Sequence, residues 1–209
     1  SDLTAVLRFY LQNRELELLL QAAQTGASGR DLYTMMANVA ELITRQIPVT
    51  VCRIGLLNEN GDCLEICASY PVRVVSGFAQ QLGECIPLAK APTIERVLRD
   101  AKPRVVKFSE IQPDNGLEEV ESLFFAEVSS IVFLPLKVEE GVIGVIMLGE
   151  ARNWQRQPIT SKKLDLLEAL AAYVASSANS SRLYQALAKQ VERLAVLNRV
   201  ASAIGSTID

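Results

Sequence analysis

Ser130-Ile131-Val132-Phe133-Leu134-Pro135-Leu136-Lys137-Val138, then Glu139-Glu140-Gly141, then Val142-Ile143-Gly144-Val145-Ile146-Met147-Leu148 is the stretch on which the fold turns. Two apolar arms flank a short polar turn, which predicts a hairpin of strands over 130–138 and 142–148. Both arms are apolar at nearly every position, with no alternation of wet and dry. Such strands are covered on both faces. One face can pack on helices. The other needs a second cover of loops, short helices or a ligand.

Working outward, Val49 to Leu57 is rich in β-branched and aliphatic residues and reads as a strand. Asn60-Gly61 is a strong hairpin signal, because both residues tolerate positive φ. Cys63 to Ser69 returns as the partner strand and Pro71 ends it. A short strand is expected at Cys85 to Leu88, a helix from Pro92 to Ala101, and a strand at Val105 to Phe108. Leu117 to Ala126 reads as a short helix. Upstream, helices are expected over Leu3–Gln24 and Arg30–Gln46, separated by the Thr25–Gly29 break.

From Thr160 to Ile204 the helical pattern scarcely stops. Leu164, Leu167, Leu170, Ala171 and Val174 make one stripe; Leu187, Val191 and Leu194 resume it. A helix of that extent runs roughly 65 Å, longer than a domain of this size. Part of it should project and pair with a second helix as a coiled coil. Leu183, Leu187, Val191 and Leu194 are the expected dimerisation residues. Leu16 to Asp31 recurs faintly 178 positions later as Leu194 to Asp209, which suggests that a second, similar module follows.

Composition removes whole classes of function. The 209 residues carry 21 basic and 24 acidic side chains, with no concentrated basic face for nucleic acid. No apolar run is long enough to span a membrane, and the N-terminus lacks a signal-peptide pattern, so the segment is expected to be cytoplasmic. There is no histidine, which excludes His-dependent catalytic units and His metal ligands within the chain. No metal and no cofactor are expected. The four cysteines, Cys52, Cys63, Cys67 and Cys85, form no CxxC pair and read as buried free thiols.

The order helix, helix, hairpin, strand, helix, strand, short helix, hairpin, long helix resembles the GAF domain. The Ser129–Leu136 strand ending in Pro-Leu, the Gly141–Leu148 strand with its Ile-Gly-Val core, and the Leu167–Tyr184 helix are each similar to family segments. The resemblance implies an α+β fold of GAF/PAS-like type. Its central antiparallel sheet has about six strands, with helices on one face, short helices and loops over the other, and a long C-terminal helix. It divides the chain into a helical linker (1–14), the domain (15–183) and a connecting helix (184–209) leading to a further module.

By the same resemblance the chain is a non-catalytic sensor domain of a multidomain signalling protein, such as a sensor histidine kinase of a two-component system. Partners are a second copy, met through the N- and C-terminal helices, and an unknown small molecule. The family's pocket would be walled here by Ile94, Leu98, Phe108, Ser109, Leu123, Phe124, Ser130 and Val132. Either these residues hold a mostly apolar ligand with one or two hydroxyl anchors, or they close on each other as core. Bilin-binding members use a Cys-His pair, which is missing here. Sulfoxide-reducing members need a cysteine where this chain has Phe124-Phe125-Ala126-Glu127. A ligand-free dimerisation module is the alternative, and a free-methionine sulfoxide reductase, for which Cys85 falls near the family's recycling thiol, stands third.

Overall fold

In the computed structural model, which describes residues 32–47, 49–71, 82–107, 128, 130–151 and 161–205, three helices accompany a six-stranded sheet. The order is α1 (Leu32–Gln46), β1 (Val51–Leu57), β2 (Cys63–Tyr70), β3 (Cys85–Pro87), α2 (Pro92–Asp100), β4 (Arg104–Lys107), β5 (Ser130–Val138), β6 (Gly141–Glu150) and α3 (Ser161–Gly205). A single 3-10 turn, Leu88–Lys90, joins β3 to α2. The expected helices over Leu3–Gln24 and Leu117–Ala126 lie outside the described residues.

The strands lie in the order β3-β2-β1-β6-β5-β4, and every neighbouring pair is antiparallel. The first and last hairpins therefore meet at the middle, where Ile54 faces Ile146 across β1 and β6. Gly61 takes φ 71° in the first hairpin turn, the conformation Asn60-Gly61 predicts. Pro92 opens α2 at its first turn, where its missing N–H is no loss.

Two apolar layers sandwich the sheet. On one side, called proximal here, α1 and α3 bury Met36, Val39, Ile43, Leu167, Leu170, Val174 and Ala178 against Ile54, Val132, Leu134, Ile146 and Leu148. On the other, distal side, α2 and its approach bury Ala91, Ile94 and Val97 against Leu64, Ile66, Ile131, Phe133, Val145 and Met147. Alternate residues of β5 and β6 thus enter different layers, as their unbroken apolar character requires.

β2 carries one residue more than β1 across the step where Ile54 faces Ala68 and Gly55 faces Ile66. The extra residue is Cys67. This bulge lets both Cys67 and Ala68 enter the proximal layer, while Leu64 and Ile66 remain distal.

Candidate functional site

The distal layer is the candidate site. A row of directly opposed residues crosses it: Arg104 on β4, Phe133 on β5, Met147 on β6, Arg53 on β1 and Ser69 on β2. The next row has Ile66, Gly55, Val145 and Pro135. Ile94 and Val97 of α2 lie over this surface because they are one turn apart on a helix with few other apolar residues.

Arg53 is the chemical exception in this layer. It is 3% exposed, yet its opposite neighbour Met147 is part of the distal apolar cluster. Burial pulls its guanidinium down to about 10, and the charge of Glu84 works the other way. The group still holds its proton at neutral pH. A charge kept inside an apolar layer is costly and marks a place where function is to be sought. The sequence carried the signal, a basic residue within Val51-Cys52-Arg53-Ile54, but the strand reading passed over it.

The expected wall residues divide. Ile94 is fully buried in the distal layer and Leu98 packs partly buried against it. Phe108, Ser109, Leu123 and Phe124 lie outside the described residues. Ser130 and Val132 are not brought there, which corrects the expectation. Val132 is part of the proximal cluster, and Ser130, two residues earlier on β5, shares its side of the sheet. The distal positions of β5 are Ile131 and Phe133. The Ser130 hydroxyl is buried and has no hydrogen-bond partner among the described residues.

A polar cluster does sit on the proximal side, where β5 begins and β6 ends. Glu150 of β6 lies opposite Ser130 and is buried. The Thr50 hydroxyl donates to Glu150 Oε1 at 2.8 Å and accepts the Ala151 N–H at 2.9 Å. This arrangement ties the start of β1 to the end of β6.

The cysteines also depart from expectation. Cys63 and Cys85 form a disulfide between β2 and β3, with Cα atoms 5.8 Å apart. Only Cys52 and Cys67 are free and buried, as all four were expected to be. The pairing depends on β3 docking beside β2, with Cys85 opposite Glu65, a register that spacing along the chain does not reveal. Among the described residues no group of three or more His, Cys, Asp or Glu could hold a metal ion.

α3 leads away from the site. Its first half is built into the proximal layer through Ala178. At the boundary, the Arg182 guanidinium donates to the carbonyl oxygen of Leu57, at the end of β1. Beyond it Leu183, Tyr184, Leu187, Val191, Leu194 and Leu197 are all more than half exposed. No helix among the described residues is long and apolar enough to cross a membrane.

Known folds share this arrangement. The chain is similar to the GAF domain of a phosphoenolpyruvate-protein phosphotransferase from Acinetobacter, at 16% identity and TM-score 0.66, over 83% of this chain and 95% of that one. It is also similar to residues 122 to 287 of a methyl-accepting chemotaxis protein, at 16% identity and TM-score 0.63, over 81% and 99%. The GAF domain of a two-component sensor histidine kinase from Bacillus halodurans matches at 19% identity and TM-score 0.57, over 76% and 98%. At such identities the likeness is one of fold. No curated protein matches the chain. A family model described as GAF domain matches residues 31–179, from α1 through the buried half of α3. The six-stranded sheet, its two apolar layers and this match together show that the chain belongs to the GAF domain family.

Proposed function

We propose that the chain is a non-enzymatic sensor domain of a larger signal-transduction protein. It takes a small molecule on the distal face of its sheet and passes the state of that face to α3. It works as a homodimer joined along the outer half of that helix, with Leu183, Leu187, Val191 and Leu194 at the contact. The solved structures it resembles include the GAF domain of a sensor histidine kinase and a segment of a methyl-accepting chemotaxis protein, which supports the sensory setting.

The observation that carries the reading is α3 itself. One uninterrupted helix of 45 residues is core at one end and bare at the other. Leu187, Val191 and Leu194 recur at steps of four and three, the spacing of a coiled-coil seam. Exposed apolar residues in such a row are covered by a partner helix in stable proteins. A ligand acts on that helix only through different affinity for two arrangements of it. The distal layer meets α3 through the sheet, since β5 and β6 supply residues to both layers.

Sedimentation equilibrium tests the dimer. The chain is expected at twice its 22.9 kDa, and Leu187→Asp/Leu194→Asp at the single mass. A single-mass particle for the unaltered chain contradicts the reading. Native mass spectrometry tests the ligand. An added small mass that is lost when Phe133→Trp fills the distal layer supports sensing. The same distal residues are closely buried on one another, which favours a ligand-free dimer as the second reading; a dimer without added mass selects it.

A further inference from the structure

The Cys63–Cys85 pair lies where no part of the proposed sensing function uses it. β3 is one of the two edge strands and is only three residues long. Its ladder with β2 is three residue pairs long, Cys63 to Pro87, Leu64 to Ile86 and Glu65 to Cys85. The flanking residues add three backbone bonds: the Gly83 N–H donates to Ile66 O, the Ile66 N–H to Glu84 O, and the Leu88 N–H to Asp62 O, each at 2.9 Å. Such a short ladder at an edge opens readily. From β3 the chain passes through four residues into α2, which supplies Ile94 and Val97 to the distal layer. Fastening β3 therefore fastens the approach to that layer.

The two cysteines differ in access. Cys63 is 7% exposed, while Cys85 is exposed on the open edge. Their Cα atoms are 5.8 Å apart, within the range that a disulfide spans. The pair lies on the proximal side of the sheet, because the intervening Leu64 and Ile86 point to the distal layer. Glu65, opposite Cys85, accepts a hydrogen bond from the Tyr33 hydroxyl of α1 at 3.5 Å. The remaining thiols, Cys52 and Cys67, are buried and unpaired in disulfides.

We propose that Cys63 and Cys85 form a reversible oxidation site that takes hydroperoxides, and that its closure locks β3 and the entry to α2. In the open form the Cys85 thiolate attacks the peroxide O–O bond. The outer oxygen is transferred to sulfur, giving Cys85 sulfenic acid, and the other leaves as an alcohol, or as water from hydrogen peroxide, after taking up a proton. Cys63 sulfur then attacks the Cys85 sulfur. The S–S bond forms, the S–O bond breaks, and the Cys63 proton leaves with the hydroxyl as water. Two thiols lose two electrons together and one peroxide gains them. A dithiol reverses the step: one of its thiolates attacks the exposed Cys85 sulfur and releases Cys63 as a thiol, and its second thiol then displaces Cys85, leaving the reductant as a disulfide.

The test uses the full chain, reduced with dithiothreitol and then treated with hydrogen peroxide. Thiol titration after unfolding is expected to fall from four groups to two, with Cys63 and Cys85 in one linked peptide. Hydrogen exchange at the Gly83, Ile66 and Leu88 amides is expected to be about tenfold slower in the oxidised chain. Cys85→Ser and Cys63→Ser should each exchange like the reduced chain under both treatments, and Cys67→Ala like the unaltered one. Oxidation that stops at sulfinic acid on Cys85, a linked peptide using Cys52 or Cys67, or exchange rates that oxidation leaves unchanged would each overturn the proposal. The dimer mass and any bound ligand are independent readouts, so failure here leaves the sensing function standing.

Discussion

Gly144 of β6 sits opposite Leu56 of β1, and a side chain there has no room. A Cβ there would meet the carbonyl oxygen of Gly55 at 2.3 Å, and side-chain carbons of Leu56 and Leu136 at 3.0 and 3.1 Å. The backbone oxygen belongs to the β1–β6 junction and cannot swing aside. Gly144→Ala should therefore lower the unfolding free energy by about 3 kcal/mol in a urea titration, near the upper end for overpacking. A loss below about 1 kcal/mol would show that the junction yields. Cys67 makes a second point at this scale. Burial, and then the charge of Glu65, pushes its thiol up to about 11 from 9.0. In the unfolded chain the thiol ionises near pH 9; in the fold it keeps its proton until about pH 11. The fold thus binds more protons across that window, so this contribution is whole below about pH 9 and lost as the pH rises through about 11. Stability measured across the window should fall less steeply in Cys67→Ala than in the unaltered chain. Equal slopes would remove the buried-thiol account. Neither the Gly144 contact nor the Cys67 environment was readable from spacing, because both depend on which strands become neighbours.

The elements were far more legible than the faces they present. The arm expected at Ser130 to Val138 has those bounds in the structure, and the helix expected from Thr160 to Ile204 runs Ser161–Gly205. Continuous apolar character and helical spacing are local signals, and they survive folding unchanged. Which side of β5 a residue takes is not local. A strand apolar on both faces lacks the alternation that marks an inside and an outside, so Val132 was placed in the distal walls and belongs to the proximal layer. Ile94 and Leu98 could be placed because α2 is amphipathic and has one apolar face. Arg53 and the Cys63–Cys85 pair escaped because their meaning comes from register with β6 and β3. α3 gives the clearest prediction at this scale. Leu170 is buried in the proximal core, and Leu170→Ala should cost about 3 kcal/mol in a urea titration. Leu194 is 60% exposed, and Leu194→Ala should change the unfolding of a dilute, monomeric sample by less than about 0.5 kcal/mol. Similar costs at the two sites would mean that α3 is not divided as described.

At the scale of the whole molecule, the sheet is a shared wall between two apolar layers. α1 and the first half of α3 close the proximal layer, and α2 takes part in closing the distal one. Because β5 and β6 serve both, in the proposed sensor a change in the packing of Phe133 or Met147 would reach Leu134, Ile146 and Leu148 through the same backbone. From there it would reach Leu167, Leu170 and Val174, which belong to the same cluster, and so the helix that leaves the domain. Arg182, bonded to the end of β1, and Lys189, 3.6 Å from Glu59 in the adjoining turn, connect the start of the outer half to the β1–β2 hairpin. In the proposed dimer one helix lives in two surroundings, protein core up to Ala178 and a second copy beyond Leu183. Hydrogen exchange of the intact chain at a series of concentrations tests this most directly. Amides of 167–178 and of β5 and β6 should be slow at every concentration, while those of 183–197 should slow as the concentration rises through the dimer range. Exchange over 183–197 that is indifferent to concentration, or β5 and β6 amides that exchange as fast as the helix end, would contradict it.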